Sequence, residues 1–308
     1  VDRSRGLGDV YKRQIKRSAD IIYDWSKKTK VIAVLSAMSG ETDRLINLTK
    51  SFSKNPNPID FDNAISSGEN VSCALMSICL NNQKIKAKSL LSWQIPIMTS
   101  SEHMKSRILS VNKNFLYDEL ENYEVLVIPG FQGINNKGEL TTLGRGGSDT
   151  SAVAVAAAME SECIIYTDVE GVFTTDPNIV PKAKKINKIS YEEMLELASQ
   201  GAKVLQTRSV ELAMRKNTKL SVRSSFKPKK IGTMITDEKS VLENNTVSGI
   251  TYSKDEAKIT LSRVQDKPGV SSKIFGPLAK GNINVDMILQ NISQDGKFAN
   301  LSFTLPRL

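Results

Sequence analysis

Short β-branched runs alternate along this chain with longer stretches in which apolar residues recur at helical spacing. Ile15 to Ser26 has the helical pattern, and Val31 to Leu35 (VIAVL) reads as a buried parallel strand. The turn SAMSGETD leads into a helical stretch through Leu45 and Leu48. A polar loop with Pro56 and Pro58 then precedes a helix expected over Asn70 to Leu80. Val125 to Ile128 (VLVI) repeats the strand pattern and runs into a loop, PGFQGINNKGE. A helix follows over Thr150 to Met159, a strand over Ile164 to Thr167 and a helix over Tyr191 to Gln200. This alternation predicts an α/β fold, a mainly parallel sheet sandwiched by helices, with ligands at the carboxyl ends of its strands.

The pattern changes near Asp237. From Val247 to Leu308 it reads as strands SGITYS and AKITLSRV, loop QDKPG, helix VSSKIFGPLAKG and strand INVDMILQNI, then a tight turn at Asp295 and Gly296 and the strand FANLSFTL. At the other end, VDRSRGLGDVYKRQ has no apolar periodicity and reads as a non-native tail, with a flexible leader as the alternative. Three segments result: a tail over 1–14, a catalytic-sized α/β unit over 15–236, and a linker with a small α+β unit over 237–308.

Composition narrows the chemistry. An apolar fraction of 40% with 24% charged residues is that of a globular protein. The longest apolar run, Ala152 to Met159, is far short of the roughly 20 residues of a membrane span. Three cysteines, Cys73, Cys79 and Cys163, have no metal-like spacing and no disulfide framework, which points to reduced thiols and a cytoplasmic location. The net charge of +9 raises nucleic acid as a partner, but the lysines are dispersed and no aromatics interleave with them; anionic small substrates fit better. With His103 as the single histidine, a His-rich metal site and a His-based triad are excluded.

Four loops are candidates for chemistry. Thr141 to Thr150, TTLGRGGSDT, stands before an Ala-rich helix: Gly144, Gly146 and Gly147 let backbone N–H groups turn toward a ligand, Ser148 and Asp149 fall where an N-cap belongs, and Arg145 adds a planar fork for a carboxylate. A capped turn with a surface arginine is the plainer reading. Ile165 to Pro177, IYTDVEGVFTTDP, ends a strand at Thr167 and places Asp168 at a Gly-containing turn, equally consistent with an ordinary connection. In GAKVL, Lys203 follows a helix end and is able to reach phosphate oxygens, although a lone lysine is more often solvated. In SSGE, Glu69 at a helix start is either a helix-dipole partner or a ligand for an ammonium group.

Taken together, SAMSGETD, SSGENVSCAL, SLLSWQIPIMTS, LGRGGSDT, YTDVEGVFTTDP, GAKVL, RSVELAM and VRSSF resemble the aspartate kinases of the amino acid kinase superfamily, in that family's order, over Ile15 to Leu308. The resemblance implies the amino acid kinase fold followed by a partial, ferredoxin-like ACT domain. It implies transfer of the γ-phosphoryl of ATP to the β-carboxylate of L-aspartate, giving 4-phospho-L-aspartate, the first step toward lysine, threonine and methionine. By the same resemblance Arg145, Gly146, Gly147 and Ser148 hold the aspartate carboxylates, Glu69 takes the α-ammonium and Thr42 lines that pocket. Thr167, Asp168, Phe173, Asp176 and Lys203 contact ATP. Ser36 lies near the transferring phosphoryl, and Asp149 orients its loop; with Lys203 these two form the catalytic set. Mg²⁺ is held mainly by the nucleotide phosphates, with no protein metal site. In the ACT-like unit, Asp266, Lys267, Pro268, Gly269, Ser271, Asn284, Val285, Asp286 and Gln290 form an effector site for lysine, threonine or both, and ACT sheets pair to give a homo-oligomer. Neither nucleic acid nor membrane is a partner.

The sequence departs from the family pattern in three places. No Lys-Phe-Gly-Gly-Thr-Ser strand and loop precedes Ile15, Asn178 stands where the family often has arginine after TTDP, and a second ACT domain is absent. The first departure leads to an expectation of reduced catalysis. Two other readings stay open: an amino acid kinase acting on glutamate, acetylglutamate or a nucleotide, and a non-catalytic amino-acid-binding regulatory module.

Overall fold

The computed structural model describes residues 3–95, 97–201, 204–237, 249–251, 256–265, 267–281, 283, 285, 287–292 and 298–307. The chain divides into two units, Val1–Thr251 and Tyr252–Leu308. In the first unit α1 (Arg3–Ser26), β1 (Val31–Leu35), α2 (Glu41–Phe52), α3 (Pro58–Ile65), α4 (Ser67–Asn82) and β2 (Ala87–Ser89) come first. Next are β3 (Ile97–Thr99), β4 (Ile108–Val111), α5 (Lys113–Asn122), β5 (Val125–Pro129), β6 (Gln132–Ile134), β7 (Leu140–Thr142) and α6 (Gly147–Ala158). The unit continues through β8 (Cys163–Thr167), β9 (Lys188–Ser190), α7 (Tyr191–Ser199), α8 (Thr207–Lys216), β10 (Leu220–Ser224) and β11 (Thr233–Thr236).

Two parallel arrangements position the loops of interest. VIAVL and VLVIP, as β1 and β5, pair parallel with β2 on the far side of β5. β5 is buried at every position because helices cover it on both sides, which is why its sequence lacks alternation. In the second sheet, of order β8-β10-β11-β9, β8 and β10 are parallel while β10 and β11 are antiparallel. A third sheet, β4-β3-β6-β7, contains the β6–β7 hairpin. Ser36 therefore follows the carboxyl end of β1, Gly130 that of β5, and Thr167 closes β8, so the expected strand-end loops fall where parallel sheets place ligands.

α6 joins these sheets, packing against β1, β6, β8 and α8. Its Ala/Val composition permits that approach: Val153, Val155 and Ala156 are buried, in separate clusters with β10 and α8 on one side and with Ile128 and Leu126 on the other. α1 lies on α4 and β1 through Ala19 and Ile22. Its Trp25 Nε1 donates to the Tyr166 hydroxyl at 2.9 Å, and the Arg223 guanidinium lies 5.6 Å from the Trp25 ring. Among the described residues, β1 and β8 each pair along one edge only.

Several elements differ from the sequence-based expectation. The helix expected from Ile15 extends upstream to Arg3. The segment with Pro56 and Pro58 is not wholly a loop: Asn57 accepts from the Ile59 N–H at 3.0 Å, Pro58 takes the first helical position, and α3 follows. PGFQGINNKGE contains β6, and its end leads directly into β7, pairing Gln132 with Thr142.

In the second unit β12 (Glu256–Gln265) and β13 (Ile288–Ile292) both pair antiparallel with β14 (Phe298–Pro306), and α9 (Val270–Lys280) connects β12 to β13. Phe275 of α9 meets Phe303 of β14 edge-to-face at 5.3 Å, fixing helix on sheet. The strand expected at SGITYS is not formed at Gly249, Ile250 and Thr251, where the Ile250 N–H donates instead to the Thr174 carbonyl at 2.7 Å; the rest of that segment and the turn at Asp295 and Gly296 lie outside the described residues.

Candidate active site

The glycine loop is the junction of β7 and α6. Gly144 and Gly146 have φ of +77° and +68°, in the left-handed region that disfavours a side chain. Gly146, not Ser148 or Asp149, is the N-cap of α6; Gly147 begins the helix, and Ser148 and Asp149 lie in its first turn. This corrects the capping expectation. The cause is the reversal at Gly146, which starts the helix two residues sooner and leaves first-turn N–H groups for an anion. Arg145 is exposed, and Ser148 is half-buried against Gly130, where a Cβ would come within 2.8 Å of Ser148 Cα. Phe131, with φ of +68°, accepts at its carbonyl from the Leu143 N–H at 2.9 Å, and its own N–H donates to Ser151 Oγ at 3.1 Å. A bulky residue in that conformation stores about 1 kcal/mol of strain beside the loop.

α8 grips the same loop from outside. A Cβ on Gly146 would fall 1.9 Å from Gln206 Cγ. The Gln206 backbone N–H binds the Asp149 carboxylate, and Arg208 donates to the Leu143 carbonyl at 2.6 Å and the Ser106 carbonyl at 3.0 Å. Burial pushes Asp149 up to about 6, with the Gln206 N–H opposing. Gly146→Ala is therefore expected to cost about 1–2 kcal/mol in a urea melt, through strain at positive φ and displacement of Gln206; an unchanged melt would contradict this packing.

Glu69 lies in the first turn of α4, only 3% exposed. Its Oε1 accepts from the Ala37 N–H at 3.1 Å, on the loop after β1, whereas its Oε2 is buried without a hydrogen-bond partner. Burial raises its pKa from 4.5 to about 7, and the Ala37 N–H offsets only part of that. Gly68 makes the site possible, since a Cβ there would sit 2.9 Å from Ala37 Cβ. Ser36, exposed, precedes Ala37 on the loop after β1, and Thr42, half-buried, lies in the first turn of α2.

Of the nucleotide candidates, Thr167 and Asp168 stand at the end of β8, and Phe173 and Asp176 lie farther along the connection to β9. Thr167 Oγ1 donates to Asp168 at 3.0 Å, and Asp168 is exposed. The Ser225 N–H donates to the Thr167 carbonyl at 2.8 Å, bringing the lysine-bearing segment after β10 alongside; Lys227 and Lys230 pair there with Glu170. Phe173 bridges to Lys185, and Asp176 caps the following turn through the Asn178 N–H at 2.8 Å. Lys203 lies outside the described residues.

In the second unit Gly269, φ +87°, caps α9 with open space around it, next to exposed Lys267, Pro268 and Ser271. Gln290 is on β13 and Val285 is half-buried; Asp266, Asn284 and Asp286 lie outside the described residues. No group of three or more His, Cys, Asp or Glu among the described residues is arranged to hold a metal ion, and no described helix is long and apolar enough to cross a membrane.

Residues missed from sequence include Ala37, Gln132, Gln206 and Arg208, which act through backbone groups or packing. A fifth missed residue, buried Asp62, binds the single histidine: His103 Nδ1 is 2.8 Å from its Oδ2, with Glu139 3.6 Å from the other ring nitrogen.

The family model described as the amino acid kinase family matches residues 4–224, and that of the ACT domain matches residues 259–307. The aspartate kinase of Pseudomonas putida is 48% identical over 279 residues, covering 90% of this chain and 67% of that relative. Aspartate kinase from Synechocystis has a similar structure, with a TM-score of 0.66 and 38% identity over 96% of this chain and 50% of that one. E. coli aspartokinase III, in complex with aspartate and ADP, shares the fold with a TM-score of 0.75 and 24% identity, covering 96% of this chain and 75% of that one. The same enzyme with lysine and aspartate gives 0.74 and 25%, over 94% and 75%. On this fold, with these loops and relatives, the chain belongs to the amino acid kinase family as an aspartate kinase with an ACT domain.

Proposed function

We propose that this enzyme transfers the γ-phosphoryl of ATP to the β-carboxylate of L-aspartate, forming 4-phospho-L-aspartate on the route to lysine, threonine and methionine. The observation that supports it most is Glu69: a buried carboxylate with one oxygen held by Ala37 and the other unpartnered suits a ligand ammonium. Arg145 and the first-turn N–H groups of α6 complement carboxylates.

The attacking carboxylate has an ordinary pKa near about 4 and is already ionised at neutral pH, so the reaction needs no general base. This accords with His103 being occupied by Asp62. The task left is to place two anions in line and offset their repulsion. Arg145, Gly146, Gly147 and Ser148 hold the amino acid; Thr167, Asp168, Phe173, Asp176 and Lys203 meet the nucleotide. Asp149, tied to Gln206, orients the loop, and Ser36 stands near the transferring group. Mg²⁺, held mainly by the phosphates, supplies charge neutralisation.

The second unit serves as a feedback site for lysine, threonine or both, at the start of α9 and on β13. The lysine bound to E. coli aspartokinase III supports this reading. Among the described residues β13 is an edge strand, with exposed Ile288, Leu289 and Ile292, which favours pairing with a second ACT sheet in a homo-oligomer. The absence of described membrane-spanning helices and the amino acid substrate fit a cytoplasmic enzyme.

An ADP-release assay offering aspartate, glutamate, acetylglutamate and a nucleoside monophosphate tests the substrate. Turnover with aspartate, lowered by added lysine or threonine, is the expected result; equal turnover with glutamate would overturn the assignment.

A further inference from the structure

Asp62 is wholly buried on α3, and the chemistry above makes no use of it. Its Oδ1 accepts from Thr142 Oγ1 at 2.6 Å, and its Oδ2 from the Thr142 N–H at 3.1 Å, the Met104 N–H at 3.1 Å and His103 Nδ1 at 2.8 Å. A buried carboxylate is costly unless donors surround it, so these contacts form a unit that resists partial loss. The donors belong to two segments that flank the glycine loop. Thr142 ends β7, immediately before Leu143, Gly144 and Arg145. Met104, held at φ +66°, places its carbonyl where a Cβ on Gly144 would come within 2.9 Å.

Further bonds splint the two segments together. Ser106 donates to the Thr142 carbonyl through both N–H and Oγ at 2.9 Å, and Arg208 joins the Ser106 and Leu143 carbonyls. On the other side, α3 runs into α4 through Ser66. The Ser66 carbonyl accepts from Gln132 Nε2 at 3.0 Å, and Gln132 is itself wholly buried. Glu69 stands in the next turn, fixed to Ala37. One corner of the fold thus presents Glu69 and, through Asp62, grips the root of the loop bearing Arg145.

We propose that Asp62 is a positioning residue that sets the separation between Glu69 and Arg145, and so between the ammonium and carboxylate anchors of the amino acid substrate. This rests on the reading of Glu69 and Arg145 given above. It also assigns His103 to the same brace, as a donor to Asp62.

The test is steady-state kinetics on the intact enzyme with aspartate and ATP varied separately. Asp62→Asn puts an NH₂ donor among N–H donors. It is expected to raise the KM for aspartate about tenfold, equivalent to about 1.4 kcal/mol, while the KM for ATP changes less than about twofold. Thr142→Val, which removes one donor, is expected to raise the aspartate KM about threefold, and Thr142→Ser, which keeps it, to behave as wild type. A folded Asp62→Asn enzyme with an unchanged aspartate KM, or with both KM values raised alike, would overturn the proposal. Should that variant not fold, indistinguishable Thr142→Val and Thr142→Ser enzymes would overturn it. Glu69→Gln run in parallel separates the two ideas. If it too leaves the aspartate KM unchanged, the site reading fails and takes the proposal with it. If it raises that KM while Asp62→Asn does not, only the positioning role is lost.

Discussion

Glu69→Gln is expected to lower kcat/KM for aspartate by about 100-fold and, in the same protein without substrate, to raise stability at pH 8. Both effects have one cause. Glu69 is buried with an unpartnered oxygen and has its pKa raised from 4.5 to about 7 by that burial. For an acid raised in the folded state, the contribution to stability is fully present below the unfolded value and is lost as pH rises through the folded one. The window is therefore about pH 4.5 to 7, and the full shift corresponds to about 3 kcal/mol. Glutamine removes the charge and that dependence, so thermal melts of the two proteins should diverge as pH rises from 5 to 8, the variant being the more stable. A substrate ammonium supplies the missing partner, and losing that ion pair removes about 2–3 kcal/mol of binding. In the wild type, aspartate affinity should weaken as pH falls below about 7, because protonated Glu69 no longer attracts the ammonium. Parallel pH–stability curves for the two proteins would contradict the burial argument.

Much of the α/β frame was legible because its strands are extreme. VIAVL and VLVI are apolar without alternation, as in a sheet covered on both faces; β5 is buried throughout, whereas β1, which among the described residues pairs along one edge only, is buried at Ala33 alone. The three-residue strands β2, β3, β6, β7 and β9 are too short to show a period and emerge from their pairing partners instead. α3 had a readable signal, Asn57 as cap and Pro58 at the first helical position, hidden by the habit of reading Pro-Asn-Pro as loop. In the site, the residue types of TTLGRGGSDT announced anion chemistry, but the placement of the cap at Gly146 depended on its positive φ, which no spacing encodes. Asp62 was not legible at all. Nothing in PIDFDNAI distinguishes its second aspartate, which is buried, from Asp60, which is not in the core; the difference is made by donors from Met104 and Thr142, distant in sequence. The unpartnered oxygen of Glu69 is likewise a tertiary fact.

The central claim is that a cradle of backbone amides and cations gathers two anions so that a carboxylate takes a phosphoryl group without a base. Arg145 is exposed and sits outside the hydrophobic clusters, so its replacement should leave the fold intact, with a Tm within about 2 °C of wild type. Arg145→Ala removes a bidentate donor for a carboxylate and is expected to lower kcat/KM for aspartate by at least about 100-fold, with the KM for ATP little changed. Arg145→Lys keeps the charge but loses the fork, and should fall between, about tenfold below wild type. The most direct measurement is the rate of aspartyl phosphate formation, trapped as the hydroxamate, by wild-type and Arg145→Ala enzyme at equal ATP. The account predicts near-complete loss in the folded variant; an undiminished rate would contradict it.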